Sequence, residues 1–108
     1  MSRTARKGQN EVWFRELNER LEQRALVKHG STEQFEVVCE CDREECAERL
    51  AIGVTDYESV RATATDFIVA HGHVDPNCEQ VVDSKPEYEV VEKRGEAAAI
   101  AEIEDPRS

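Results

Sequence analysis

No stretch of 18 consecutive apolar residues occurs anywhere in the 108 residues, which argues against a membrane-spanning helix. The opening residues, Met1-Ser2-Arg3-Thr4-Ala5-Arg6-Lys7-Gly8, carry basic side chains with no apolar stretch behind them. A secretory signal needs that stretch, so the expected location is cytoplasmic. Large apolar side chains are scarce as well. Leu, Ile, Val and Phe number 23, about 21% of the chain, just above the ~20% level under which a highly charged chain tends to disorder. The core must be small, and small cores often need a metal or a disulfide. Basic charge is the next shortage: 14 Lys and Arg stand against 24 Asp and Glu, for a net charge of −10. A body this acidic repels phosphate backbones, so direct nucleic-acid binding is not expected. The acidity is compatible with a solvated surface, or with a protein partner whose contact surface is basic.

Catalytic signatures are missing too. The chain has no H-E-x-x-H, no H-x-E…P-C-x-x-C and no glycine-rich phosphate loop, so neither metalloprotease, deaminase nor nucleotide chemistry is indicated. Glu40, Asp42, Glu44 and Glu45 could supply a base beside a metal, although a solvated acidic loop has the same composition. An enzyme is not expected, and a zinc-dependent hydrolase is the weakest of the functional readings.

What is present is a cysteine cluster. Cys39, Cys41 and Cys46 fall within eight residues. Disulfides are rare in a reducing compartment, so the cluster reads first as metal chemistry and only then as inert or redox-active thiols. Residues i and i+2 of a strand face one side, but in a straight strand they stand roughly 7 Å apart. A tetrahedral zinc with Zn–S near 2.3 Å wants its sulfurs about 3.8 Å apart. The backbone must therefore bend at Glu40 for both thiolates to reach one ion. The four-residue loop 42–45 is long enough to bring Cys46 back. His73 is the expected fourth ligand, because Gly72 lets the chain turn there; His71 and Cys78 are the alternatives. His29 reads as a charge at a helix C-terminus.

The coarse organisation follows from periodicity. Residues 1–9 lack it and read as a disordered basic arm, leaving residues 10–108 as a single zinc-binding domain. Phe14, Leu17, Leu21 and Ala25 recur at helical spacing with Trp13 beside them, between a cap at Asn10 and another at Gly30. Such a stripe normally faces a core; the alternative is that this helix, with Trp13, docks onto a partner together with the acidic loop. Strand patterns cover Phe35 to Cys41, Leu50 to Val54 and Phe67 to Ala70, and a hairpin is expected around Ser84-Lys85-Pro86. Thr55-Asp56-Tyr57-Glu58 reads as a capping box opening a short helix. Residues 96–104 are Ala-rich and helical, closed by Pro106. The order α-β-β-α-β-β-β-α implies an α+β fold with a small, mostly antiparallel sheet, stapled by one metal site.

The segments Phe14-Arg15-Glu16-Leu17-Asn18-Glu19-Arg20, Val38-Cys39-Glu40-Cys41 with Cys46, Tyr57-Glu58, Val60-Arg61, Phe67, Gly72-His73, Val90-Val91-Glu92-Lys93 and Gly95-Glu96-Ala97-Ala98 together resemble a set of small actinobacterial proteins of unknown function. The resemblance spans almost all of residues 14–107. It implies a metal-binding fold in which Gly72-His73 is the recurrent element, and it implies no activity. Two functional classes lead: a zinc-stapled regulatory or protein-interaction module, and a thiol-based redox or metal sensor that loosens when its cysteines are oxidised.

Overall fold

The computed structural model describes residues 3–29, 34–41, 46 and 48–105. Along the chain it contains α1 (Arg3–His29), β1 (Gln34–Val38), β2 (Arg49–Gly53), α2 (Val54–Arg61), β3 (Asp66–Val69), β4 (Glu79–Ser84), β5 (Glu89–Lys93) and α3 (Glu96–Ile103). The α+β class and the element order agree with the sequence reading. The expected single sheet is instead two small antiparallel ones: β1 with β2, and β3-β5-β4 with β5 in the middle. Among the described residues no helix is long and apolar enough to cross a membrane.

Alternation decides which face of each strand is inside. Leu50 and Ile52 of β2 are buried while Arg49 and Ala51 are exposed, and β2 pairs with β1 so that Ile52 lies opposite Phe35. The hairpin forms as expected, closed by the Lys85 amide donating to the Tyr88 carbonyl. Its register slips between Val81 and Asp83, a bulge that leaves Val82 outside the ladder and 47% exposed. The core is built from Val37, Ile52, Tyr57, Phe67, Ile68 and Val91, and Cys39 and Cys41 pack into it.

Several local expectations are corrected. The helix α1 starts at Arg3, so Asn10 lies within it and is not its cap, and residues 3–9 are helical where an arm was expected; Arg, Ala, Lys and Gln there are good helix formers. The cap at Gly30, loop 42–45 and Pro106 lie outside the described residues. Gly53 caps α2 with no side-chain hydrogen bond, because β2 runs straight into the helix. Thr55 is therefore inside the first turn, and its carbonyl accepts from the Ser59 hydroxyl. The largest correction concerns the buried face of α1. Among its described side chains the buried ones are Arg15, Asn18, Glu22 and Ala25, while Phe14, Leu17 and Leu21 are only half-buried. Trp13 is 60% exposed and rests edge-on against Phe14, ring centroids 5.1 Å apart.

That polar face is held by specific partners. The Arg15 guanidinium donates to the carbonyls of Ala64 (2.6 Å) and Asp66 and lies 3.8 Å from the Phe67 ring centroid. Lys93 approaches the same ring at 4.8 Å while paired with Glu79 in a buried ion pair. At the other end Arg61 bridges Glu19 (2.9 Å) and Asp105 (2.6 Å), joining α1, α2 and the segment after α3. Burial works against the Arg61 charge, but its hydrogen bonds to Asp105 and Glu19 prevail and raise its pKa.

Candidate metal centre

Strand β1 ends at Val38, one residue before the first cysteine, so Cys39 and Cys41 are free of strand geometry. The chain bends at Cys41, one position past the expected Glu40. The Cys39 amide donates to the Glu48 carbonyl (3.0 Å) and the Glu40 amide to the Ile68 carbonyl (2.8 Å). The chain thus leaves the first sheet and grips β3 of the second. The Cys39–Glu48 bond also closes the loop that returns Cys46 to the cluster.

The histidine arrives from the other side. Just past β3, the Ala70 amide donates to Cys39 Sγ at 3.2 Å. The His73 amide then donates to the Ala70 carbonyl (3.0 Å), making a turn in which Gly72 has φ +81°, a backbone value that side-chain-bearing residues seldom adopt. The turn places His73 Nδ1 3.5 Å from Cys39 Sγ and 3.6 Å from Cys46 Sγ. The ligand atoms of Cys39, Cys41, Cys46 and His73 all lie within 4.8 Å of one another. They are positioned to bind one metal ion.

The alternatives are placed elsewhere. His71 Nε2 faces the Lys85 carbonyl at 2.7 Å; a carbonyl only accepts, so Nε2 carries the proton and donates. Its Nδ1 lies 3.7 Å from Glu89, which also accepts from the Gly72 amide (3.1 Å). This side chain supports the hairpin. Cys78 is buried just ahead of β4 and does not join the ligand group among the described residues.

Glu40 corrects the reading of the acidic loop. Its carboxylate is fully buried and accepts from the Ile68 amide through Oε1 and from Asn18 Nδ2 through Oε2, both at 2.8 Å. Asn18 in turn clasps Val38, donating to its carbonyl (2.8 Å) and accepting from its amide (2.7 Å). Burial pushes the Glu40 pKa up, opposed by Arg15 and these donors; burial likewise holds Arg15 down at about 10. This carboxylate is committed to structure and is not a base facing an ion.

Neither Asn18 nor Arg15 was anticipated. The signal was available: Arg15, Asn18, Glu22 and Ala25 recur at helical spacing, and when two cysteines flank one residue and face one way, the residue between them faces the other. No family model, no curated protein and no solved structure matches this chain.

The chemistry of the donor set rests on its own geometry. None of the four cysteines is in a disulfide. The Cys39 thiol is pushed well above the usual range, first by its hydrogen bond with Cys41 and then by burial; burial also raises Cys46. Bare thiolates are unfavourable here, and a bound cation would have to displace those protons. With Nδ1 turned to the sulfurs, His73 presents Nε2 to Glu48 at 3.7 Å, the side from which outer partners commonly orient a ligating imidazole.

Proposed function

We propose that Cys39, Cys41, Cys46 and His73 hold one zinc ion as a structural staple, and that the protein acts as a regulatory module by binding a protein partner. The convergence of these four donors within 4.8 Å carries the reading. Three thiolates and an imidazole form a soft, tetrahedral set suited to zinc. Four protein ligands fill its coordination, whereas a catalytic zinc keeps a position open for water. Glu40 being engaged by Asn18 and Ile68 also favours a structural role over hydrolysis.

The partner would present a basic surface to this acidic chain and meet α1 at Trp13. An exposed tryptophan fits that role, since tryptophan is enriched at interface hot spots. A second reading, a thiol-based redox sensor, draws on the half-buried position of Cys46. Its sulfur is the most accessible of the three and would be oxidised first, releasing the metal.

Elemental analysis with native mass measurement tests the staple: about one zinc per chain is expected, and chelation should lower the melting temperature. Metal-free protein that melts like the loaded form would refute it. For the partner, capture at low salt should find a basic protein, weaken as salt rises and be lost in Trp13→Ala. Reversible zinc release by mild peroxide would favour the sensor instead.

A further inference from the structure

A groove of about 460 Å³ lies between the second half of α1 and the β1–β2 sheet. Its size falls within the range of small-molecule sites. Leu21, Ala25 and Phe35 supply apolar lining, and Arg24, Lys28 and Arg49 supply three positive charges against the single carboxylate of Glu36. Phe35 is fixed edge-on against the buried Tyr57, centroids 5.4 Å apart, so this part of the lining is firm.

The cations are unusual for this chain. Acidic residues outnumber basic ones 24 to 14, and of the other cations whose side chains are described all but Arg20 have partners. Arg61 holds Glu19 and Asp105, Lys93 holds Glu79, Lys85 meets Asp83, and Arg94 meets Glu92. Arg15 holds two carbonyls. Arg24, Lys28 and Arg49 hold no hydrogen bond or ion pair among the described residues. Arg20, Arg24 and Lys28 also fall at i, i+4 and i+8 of one helix, a spacing that sets like charges side by side and weakens a helix unless an anion offsets it. A cluster of unpaired cations beside apolar surface, in a chain with carboxylates to spare, has the chemistry of a binding site.

We infer that this groove binds a small organic acid with an apolar body, the acid group held by Arg24, Lys28 and Arg49 and the body lying on Leu21, Ala25 and Phe35. Arginine is suited to such a group because its planar fork can grip both carboxylate oxygens. The site shares no residue with the metal centre, so it does not depend on the zinc reading.

The test uses the metal-loaded full chain and the fluorescent aromatic sulfonate 8-anilinonaphthalene-1-sulfonate, with decanoate as competitor. The dye should bind saturably at one site per chain and be displaced by decanoate, but not by inorganic phosphate or by decylamine. Arg24→Gln and Arg49→Gln should each weaken binding of dye and decanoate about tenfold, the worth of one charge-assisted contact. Both side chains are exposed, so the melting temperature should stay unchanged, which separates loss of a site from loss of fold. Equal binding by the charge variants would overturn the inference, as would competition by decylamine as strong as that by decanoate. Displacement by inorganic phosphate alone would show a simple anion patch and also overturn it, as would no saturable binding.

Discussion

Replacing Glu40 by glutamine changes almost no volume, yet it should be among the most damaging single substitutions in this protein. Both carboxylate oxygens accept from donors, the Ile68 amide and Asn18 Nδ2, each at 2.8 Å. A glutamine has one oxygen and one NH2 group, so its nitrogen must face a donor whichever way the amide turns. Asn18 cannot flip to help without giving up both of its bonds to Val38. One buried donor left unpaired costs about 1–3 kcal/mol. The same change removes a negative charge that favours the buried Arg15 guanidinium. Relief of the carboxylate's own desolvation, the main cause of its raised pKa, offsets part of this. A net loss of about 1–3 kcal/mol remains, or a fall of roughly 5–20 °C in Tm for a chain of this size. Circular-dichroism melts of metal-loaded protein would read it, with metal content measured alongside because all four ligands are intact. A Glu40→Gln protein melting within 2 °C of the parent would refute the reasoning.

Cys39→Ser and Cys46→Ser should each abolish stoichiometric zinc and lower the melting temperature, as elemental analysis and melts would show. His73→Ala should weaken zinc binding at least tenfold, while His71→Ala, whose ring serves the hairpin, should leave it within about twofold; a competition titration with a chromogenic chelator decides between them. Zinc affinity should fall as pH falls, because the raised thiols of Cys39 and Cys46 bind protons that the metal must displace; the slope should approach tenfold per pH unit for each competing proton. Trp13→Ala should cost no more than about 1 kcal/mol in a denaturant melt, since the ring is 60% exposed.

The element order and the gathering of Cys39, Cys41, Cys46 and His73 were both legible in the chain. Strand alternation at Leu50 and Ile52 is a local signal, and so is the turn that Gly72 permits before His73. What local patterns could not convey was the partnership of polar residues distant in sequence. Arg15 looks like a surface residue until the carbonyls of Ala64 and Asp66, 49 and 51 positions away, are brought to it. Asn18 and Glu40 look solvated until they meet across 22 positions. Trp13 stood between core and surface in the sequence for the converse reason: a large ring beside a helical stripe resembles core, but α1 turns its polar face inward and leaves that ring 60% exposed. The division into two sheets was hidden because nothing in β1 or β2 states where pairing stops.

The contacts of Arg61 bear on the order in which the molecule can assemble. Its two acidic partners lie on either side of it in the chain, Glu19 well before and Asp105 well after. A ribosome delivers all four metal-site residues, 39 through 73, while Asp105 is still unmade. The knot of cysteines and histidine can therefore close first, on a nascent chain whose guanidinium at position 61 is only half neutralised. The segment after α3, synthesised later, completes that charge and ties itself to α1 through Arg61. Such long-range closure slows folding, since the loop entropy is lost before the contact forms, and it makes the segment after α3 a latch on a structure whose centre can already be built.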